Sequence, residues 1–275
     1  MFLRLKLFIR GVYRFFTTFN LRERTWNNEA LELQRRLEAP LYLERFGYKV
    51  FSQNDEDGII SEIFNRIGVT GKRFVEFGVE RGLESNGHFL LHKGWSGVWI
   101  EGSKKHCAQI RKLFRKPIEQ KRLVVENSFI TAKNIDALIG KHITERQIDL
   151  LSIDIDGNDY HVWKAIKCVD PRVVVIEYNS LFPPEYEWVM PYNAGHAWDK
   201  TDNAGASLKS LELLGESLGY QLVGTNVSGV NAFFVRKELA KGLFVHPATA
   251  EALYNPARYN ICYRNRHPSK KYIGG

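Results

Sequence analysis

Cysteine is scarce in this sequence, and its placement argues against two kinds of stabilisation. The 275 residues include three cysteines, Cys107, Cys168 and Cys262, which lie far apart and form no Cys-x-x-Cys pair. An odd number of distant cysteines supports neither a disulfide framework nor a structural zinc site. The sequence therefore favours a reducing, cytoplasmic compartment.

Long hydrophobic runs, low-complexity tracts and Pro/Gly-rich linkers are also missing. The most apolar stretch, residues 1–19, is interrupted by Arg4, Lys6, Arg10 and Arg14. This stretch therefore lacks the run of about 20 apolar residues that crosses a bilayer and the clean apolar centre of a signal peptide. We expect neither secretion nor a membrane-spanning helix.

Residues 1–19 instead have the pattern of an amphipathic helix. At about 100° per residue, the basic side chains fall on one face, and the opposite face collects seven apolar residues: Leu5, Phe8, Ile9, Val12, Phe15, Phe16 and Phe19. Such a helix is typical of a membrane interface, which predicts a peripheral position at the inner face of the membrane. The alternative is docking of the apolar stripe on the protein's own body or on a second subunit, which leaves a homo-oligomer open.

Acidic residues are outnumbered, and the formal net charge is +8. Clustered basic residues are typical of nucleic-acid binding, because they neutralise phosphates. Here much of the excess lies towards the two ends, within residues 4–24 and 258–271, while the centre is nearly balanced and rich in carboxylates. We therefore expect no nucleic-acid partner.

The central sequence predicts an α/β fold. Short apolar runs alternate with helix-length segments, as in a parallel sheet covered by helices on both faces. The seven predicted strands are Arg73–Val79, Gly97–Glu101, Arg122–Glu126, Ile148–Asp154, Arg172–Tyr178, Tyr220–Thr225 and Asn231–Arg236. The last two flank a short turn and predict an antiparallel hairpin. Five parallel strands and a hairpin are typical of the Rossmann-like class I methyltransferases, whose domain we place at residues 48–240 between extensions 1–47 and 241–275.

A cofactor site is predicted where the first strand ends. Glu76 precedes a turn with Gly78 and Gly82, where the missing Cβ atoms allow close approach of a ligand. Glu101 ends the next strand, where a carboxylate can accept hydrogen bonds from both ribose hydroxyls. These four residues are our main candidates for cofactor binding.

The charge around this turn distinguishes between two cofactors. Glu80 and Glu84 would repel the diphosphate of NAD, whereas they are compatible with the sulfonium and ammonium groups of S-adenosylmethionine. Asn86, at the start of the following helix, adds a polar group. We therefore expect S-adenosylmethionine, with a tight turn bearing surface glutamates as the structural alternative.

Carboxylates follow the fourth and fifth strands. Asp154 and Asp156 end the fourth strand on the same side, and Glu177 and Asn179 end the fifth. Oxygen ligands of this kind suit Mg²⁺ or another divalent cation, so we take Asp156, Glu177 and Asn179 as candidate metal ligands. The alternative without metal is that Asp154 holds the cofactor or backbone amides and that Asp156 and Asp159 cap the next helix.

Three residues are candidates for removing a proton from the acceptor. Asp156 is the first choice for the catalytic edge, and His161 and His196 are candidate general bases, although a packing role is common for either histidine. The long aromatic segment Ser180–Gly205 is expected to bind the acceptor; its alternative is a packed surface loop.

Five segments together resemble the FkbM-type S-adenosylmethionine methyltransferases of polysaccharide and glycolipid biosynthesis. The segments are Phe51–Ile60, Phe74–Gly78, Trp95–Gly102, Leu151–Asp159 and Gly229–Val235. The resemblance implies cofactor binding by Glu76, Gly78, Gly82 and Glu101. Asp156 stands where the family has a glutamate, and Glu80 stands where many methyltransferases have a middle glycine.

The resemblance implies O-methylation of a sugar hydroxyl in a surface polysaccharide, a glycolipid or one of their precursors. Two alternatives remain open at this point. A non-catalytic, membrane-peripheral protein of glycan assembly could keep the fold and the N-terminal helix. A nucleic-acid methyltransferase would need basic residues near the active edge.

Overall fold

The computed structural model describes residues 29–198 and 201–258. The predicted amphipathic helix at residues 1–19 lies outside them. The strands are β1 Arg73–Phe77, β2 Ser96–Glu101, β3 Leu123–Asn127, β4 Gln147–Ile153, β5 Asp170–Glu177, β6 Tyr220–Thr225 and β7 Asn231–Arg236. All seven match the predicted strands to within a few residues at each end.

Helices connect most of these strands. A 3₁₀ helix covers Leu43–Phe46. The α-helices are α1 (residues 29–38), α2 Glu56–Ile67, α3 Asn86–His92, α4 Lys104–Leu113, α5 Arg115–Glu119, α6 Ile135–Gly140, α7 Asp159–Ala165, α8 Leu208–Ser217, α9 Lys237–Ala240 and α10 Ala250–Leu253. Serine hydroxyls begin two of them: Ser103 accepts the amide of His106 at α4, and Ser207 accepts the amide of Ser210 at α8.

The strands form one sheet in the order β3-β2-β1-β4-β5-β7-β6. The first five are parallel, and β7 is antiparallel to both β5 and β6. This confirms the predicted class I methyltransferase topology with its terminal hairpin. The carboxyl ends of β1 to β5 lie at one edge of the sheet, and Asn231, which starts β7, pairs with Glu177 at the same edge.

The apolar core lies on both faces of the sheet, because neighbouring residues of a strand point to opposite sides. In β1, Phe74 packs into one cluster and Val75 into the other. Leu43 and Leu253 are fully buried in these clusters although they lie outside residues 48–240. The described parts of both extensions thus share the core of the central domain, whose boundaries stay predictions.

A search of the described helices finds none that is both long and apolar enough to cross a membrane.

Candidate active site

The turn after β1 brings two chain segments into unusually close approach. Gly78 has φ +67°, and a Cβ atom built on it would lie 1.5 Å from the carbonyl oxygen of Asp154. Any side chain at Gly78 would therefore push the β1 turn away from the loop after β4. Glycine is required here by the fold of the site itself.

Gly82, the second glycine of this turn, lies against the apolar core. A Cβ atom there would lie 2.6 Å from the indole of Trp99, and the residue lines neither of the cavities described below. The glycine allows the turn to pack on the core. Its contribution to cofactor binding stays a prediction, and the contact with Trp99 would make that contribution indirect.

Two residues other than glycine have left-handed backbones at this edge. Glu80 has φ +48° and Asp156 has φ +55°. For residues with a Cβ atom this conformation costs roughly 1–2 kcal/mol. Such residues cluster at ligand sites, where the surrounding structure holds them in place. The glutamate that replaces the middle glycine of many methyltransferases therefore keeps a glycine-like backbone.

Glu101 is fixed by the backbone around it. One carboxylate oxygen accepts the amide of Glu80 at 2.9 Å, and the other accepts the amide of Ser103 at 2.7 Å. The residue is 7% exposed. Because each carboxylate oxygen can accept a second hydrogen bond, Glu101 can still bind a pair of hydroxyl groups.

Two cavities meet between these turns. The first has a volume of about 220 Å³ and extends towards α2, α3 and β7; the second has a volume of about 330 Å³ and extends past Glu101 towards β3. Four residues line both cavities: Gly78, Glu80, Asp154 and Asp156. A group held at this junction would be accessible from both sides.

The first cavity is strongly acidic. Its carboxylates belong to Glu56, Glu76, Glu80, Glu84, Asp154, Asp156 and Glu177. Part of this charge is compensated by neighbours. Glu56 accepts hydrogen bonds from the side chains of Asn54, Asn226 and Asn231, and Glu84 forms an ion pair with Lys49 at 3.3 Å.

Glu76 is buried and supports the helix that follows it. Its carboxylate accepts the amides of Asn86 and Gly87 and the indole N–H of Trp99, at 2.7 to 2.8 Å. Burial outweighs these hydrogen bonds and raises the pKa of Glu76 to about 7. Glu76 therefore fixes the N-terminus of α3, while Asn86 faces the first cavity and donates its side-chain amide to Ser152 at 3.0 Å.

The carboxylates at the junction are displaced towards their protonated forms. Burial, together with the charges of Asp159 and Asp156, raises the pKa of Glu177 to about 8. Burial and the charge of Glu177 raise the pKa of Asp154 well above its usual range. The pKa of Asp156 is also raised, by burial and then by Glu80, while His196 opposes the shift.

One oxygen from each of Asp154, Asp156 and Glu177 lies within 4.8 Å of the others. This set has the oxygen chemistry that a hard divalent cation accepts. Asn179, a predicted ligand, lines neither cavity; its side-chain NH2 group donates to the carbonyls of Asp202 and Ala204, and its side-chain oxygen accepts the amide of Leu181 at 3.2 Å. Among the described residues, the structure thus brings together two of the three predicted ligands and adds Asp154; metal binding itself stays a prediction.

The two candidate bases occupy different places. His161 donates Nε2–H to the carbonyl of Met190 at 2.7 Å and lines neither cavity, so the structure does not bring it to the carboxylates. His196 lines the second cavity and donates Nε2–H to the carbonyl of Asp156 at 3.0 Å. In this arrangement His196 holds the backbone of the carboxylate loop.

Asp159 and Asn158 shape the same loop. Asp159 accepts the amides of Ile155 and Gly157 at 2.9 and 2.8 Å. The side chain of Asn158 donates to the carbonyl of Asn193 at 2.7 Å and accepts its amide at 3.3 Å. The loop after β4 is thereby joined to the segment Ser180–Gly205 that we expect to bind the acceptor.

Several residues that line the cavities were absent from the sequence prediction. In the first cavity these are Glu56, Ser152 and Asn231, and in the second they are Ser103, His106 and Phe129. Trp198, which also lines the second cavity, belongs to the segment Ser180–Gly205 that was expected to bind the acceptor. Glu56 and Asn231 fall within segments of the family resemblance, which is a signal that could have identified them. Phe129 follows β3 at the carboxyl edge of the sheet, which is where ligands bind in parallel α/β proteins.

Residues 88–222 match the family model of the methyltransferase FkbM domain. The resemblance predicted from the five segments is thereby confirmed over this range, and the chain is an S-adenosylmethionine-dependent methyltransferase. The match begins after the turn of Gly78, so the assignment of that turn to the cofactor depends on the site geometry.

Solved structures with a similar course of the chain include two with S-adenosylhomocysteine (SAH) bound. The N-terminal domain of EvdMO1 is 14% identical, with a TM-score of 0.42 and coverage of 75% of this chain and 94% of that one. An O-methyltransferase from Bacillus cereus is 15% identical, with a TM-score of 0.46 and coverage of 75% and 90%. Likeness at this level carries no information on the substrate. No curated protein matches the sequence.

Proposed function

We propose that this FkbM-type enzyme transfers the methyl group of S-adenosylmethionine to a sugar hydroxyl of a surface polysaccharide, a glycolipid or one of their precursors. The observation that carries the proposal is the junction of the two cavities at Gly78, Glu80, Asp154 and Asp156. S-adenosylmethionine that extends from the second cavity into the first would place its methyl group at this junction, where an acceptor hydroxyl could reach it.

In this proposal the adenosine half of the cofactor occupies the second cavity. Glu101 accepts hydrogen bonds from the ribose hydroxyls, since its carboxylate is already oriented by the amides of Glu80 and Ser103. The methionine half passes Gly78 towards Asn86, where Asp154 lies close to its charged groups. Glu76 and Gly82 act indirectly, by fixing α3 and the turn.

The acidity of the first cavity supports an acceptor without phosphate at the reacting end. Seven acidic side chains and one arginine, Arg81, line that cavity. Even with the four junction and buried carboxyls of raised pKa protonated, carboxylates outnumber the arginine, so a phosphate group entering the cavity would be disfavoured. A sugar hydroxyl is neutral and can donate a hydrogen bond to a carboxylate. The charge of the cavity therefore supports a glycan as the proposed acceptor in preference to a nucleic acid.

Methyl transfer needs an aligned oxygen and a place for its proton. S-adenosylmethionine supplies an electrophilic methyl group whose bond to sulfur breaks, with the electron pair remaining on sulfur, as the bond to oxygen forms. Asp156, at the junction, accepts the hydroxyl proton in this proposal, with Glu177 as the neighbouring acceptor. A divalent cation held by Asp154, Asp156 and Glu177 would lower the pKa of the hydroxyl.

The cofactor assignment is tested by calorimetric titration of the purified protein with SAH and, separately, with NADH, each with and without Mg²⁺. We expect micromolar binding of SAH alone. Binding of NADH only, or of neither compound, would contradict the assignment.

The acceptor and the base are tested by transfer of labelled methyl from S-adenosylmethionine to a panel of neutral polysaccharides and glycolipids, with tRNA as the nucleic-acid comparison. Asp156→Asn should abolish transfer while leaving affinity for SAH within a few-fold, and Glu216→Gln, on the exposed side of α8, should change neither. Unchanged transfer by Asp156→Asn would remove Asp156 from the catalytic role.

We further propose that residues 1–19 hold the enzyme at the inner face of the membrane. The basis is the basic and apolar faces of that sequence. Co-sedimentation of the full chain with vesicles containing anionic lipid, compared with a chain lacking residues 1–28, tests the proposal. Equal sedimentation of both chains would contradict it, and light scattering of the same samples would report a homo-oligomer.

A further inference from the structure

Two large aromatic side chains are left exposed beside the second cavity. Phe129 is 51% exposed and Trp198 is 55% exposed, and both line that cavity together with Glu101. Each presents an apolar ring to water at a place where a ligand would be held. A flat, weakly polar ligand would remove both rings from water.

The two rings reach the cavity from different parts of the fold. Phe129 follows β3, at the edge of the sheet, and a Cβ atom on Gly102 would contact it at 3.7 Å. Trp198 belongs to the segment after β5, which lies three strands from β2 in the sheet. The second cavity is therefore walled by the cofactor-binding edge and also by the segment expected to bind the acceptor.

Trp198 is held in place by contacts on both sides along the chain. Its indole N–H donates to the carbonyl of Thr201 at 3.1 Å. His196, two residues earlier, donates to the carbonyl of Asp156 at 3.0 Å. The amide of Gly205 donates to the carbonyl of Gly157 at 3.2 Å. These bonds tie the segment to the carboxylate loop that lines the same cavity.

We propose that Trp198 is a cofactor-binding residue that packs, with Phe129, against the purine ring of S-adenosylmethionine. The inference depends on the proposed cofactor position, in which Glu101 holds the ribose. A purine attached to that ribose would lie in the cavity that both exposed rings line. The segment expected to bind the acceptor thus completes the cofactor pocket. Binding of the cofactor and binding of the acceptor should therefore stabilise each other.

The test measures binding of two ligands that differ in the purine. SAH contains adenine, whereas S-ribosylhomocysteine has the same ribose and homocysteine without the base. Stacking of a base on an aromatic side chain is worth roughly 5- to 150-fold in affinity. Trp198→Ala should weaken binding of SAH within that range and leave binding of S-ribosylhomocysteine within about twofold.

Two further variants serve as controls. Trp198→Phe keeps an aromatic face and should restore most of the affinity for SAH. Trp188→Ala removes a tryptophan from the same segment, where it stacks on Phe182 at 4.5 Å and lines neither cavity; it should leave both affinities unchanged. Circular dichroism of each variant checks that the domain is folded.

The outcomes separate the inference from the proposed function. Failure of the wild-type protein to bind SAH would overturn both. Wild-type binding with equal affinity in Trp198→Ala, or equal loss of affinity for both ligands, would overturn the role of Trp198 alone. A selective loss for SAH would support it, and hydrogen exchange of residues 190–198 should then slow on addition of SAH to the wild-type protein.

Discussion

Glu177 should make the protein less stable as the pH rises, and its replacement by glutamine should reduce this effect. Its pKa in the folded protein is about 8, against 4.5 as the ordinary value. Between these pH values the folded chain binds more protons than the unfolded chain. The free energy of unfolding therefore falls as the pH rises through this window, because the proton must leave a site that disfavours the charge.

The magnitude can be bounded from the shift in pKa. A rise from 4.5 to about 8, at about 1.36 kcal/mol per unit, corresponds to roughly 4–5 kcal/mol above pH 8. Glu177→Gln should recover only part of this, since Asp159 and Asp156 remain and the new amide still needs hydrogen-bond partners. We compare the free energy of unfolding of Glu177→Gln with that of the wild-type protein. The difference in favour of the variant should be about 2 kcal/mol larger at pH 8.5 than at pH 5.5.

The assay is urea unfolding of both proteins at several pH values between 5.5 and 8.5, followed by circular dichroism. Glu216→Gln, an exposed glutamate on α8, is the matched control and should follow the wild-type curve at every pH. Parallel curves for wild type and Glu177→Gln would refute the reasoning, because they would mean that the Glu177 carboxyl has the same pKa in both states.

Three further predictions concern the turns and the pH dependence of the reaction. Gly78→Ala should abolish binding of SAH in calorimetry, since a Cβ atom would lie 1.5 Å from the carbonyl oxygen of Asp154. Gly242→Ala is the control, because Gly242 also has a positive φ but has open space around it, and this variant should bind SAH like the wild-type protein. Glu80→Gly should leave SAH binding within a few-fold, because the left-handed backbone and the amide bonded to Glu101 are kept; a loss of tenfold or more would show that the side chain itself binds the cofactor. With an acceptor identified, kcat/KM should increase from pH 6 to about 8, because protonated Asp156 and Glu177 cannot accept the hydroxyl proton; a flat profile would exclude both as bases.

The fold was predictable because the strands have an unambiguous pattern. The run of Val173–Ile176 is apolar at every position, as expected for a strand covered on both faces, and it is fully buried. The errors lie at strand ends, where local geometry decides. The prediction extended β1 to Val79, but the positive φ of Gly78 ends the strand at Phe77. It began β5 at Arg172, whereas the strand includes Asp170 and Pro171, a position near the strand start that proline tolerates.

The sequence indicates which strands and loops form the site, but it does not indicate the direction of every side chain in it. Strand order alone brings Glu101, Asp154 and Glu177 to one edge of the sheet. The direction of His161 depends on the rotation of α7, which the segment around Met190 fixes through a hydrogen bond. The direction of Asn179 is likewise fixed by tertiary contacts, because its side-chain NH2 group donates to the carbonyls of Asp202 and Ala204, more than 20 residues along the chain. Such contacts depend on tertiary packing, which sequence spacing does not specify.

The raised pKa values of the carboxylates at the junction have a functional explanation if the ligand is a cation. The sulfonium of S-adenosylmethionine would favour the charged forms of Asp154, Asp156 and Glu177, and so would lower their pKa values. Binding would release a proton and leave a carboxylate ready to accept another from the acceptor. After transfer the sulfur is neutral, so the pKa values rise again and the proton is retained.

This argument makes a measurable difference between substrate and product. At pH 7.5 a group with a pKa of about 8 is roughly three quarters protonated in the free enzyme. Binding of S-adenosylmethionine should therefore release up to about 0.7 proton more than binding of SAH, measured by calorimetry in buffers of different ionisation enthalpy. In Glu177→Gln the difference should fall by at least half. Equal proton release for the two ligands in the wild-type protein would mean that the sulfonium charge does not lower the pKa values of these carboxylates, and it would refute the argument.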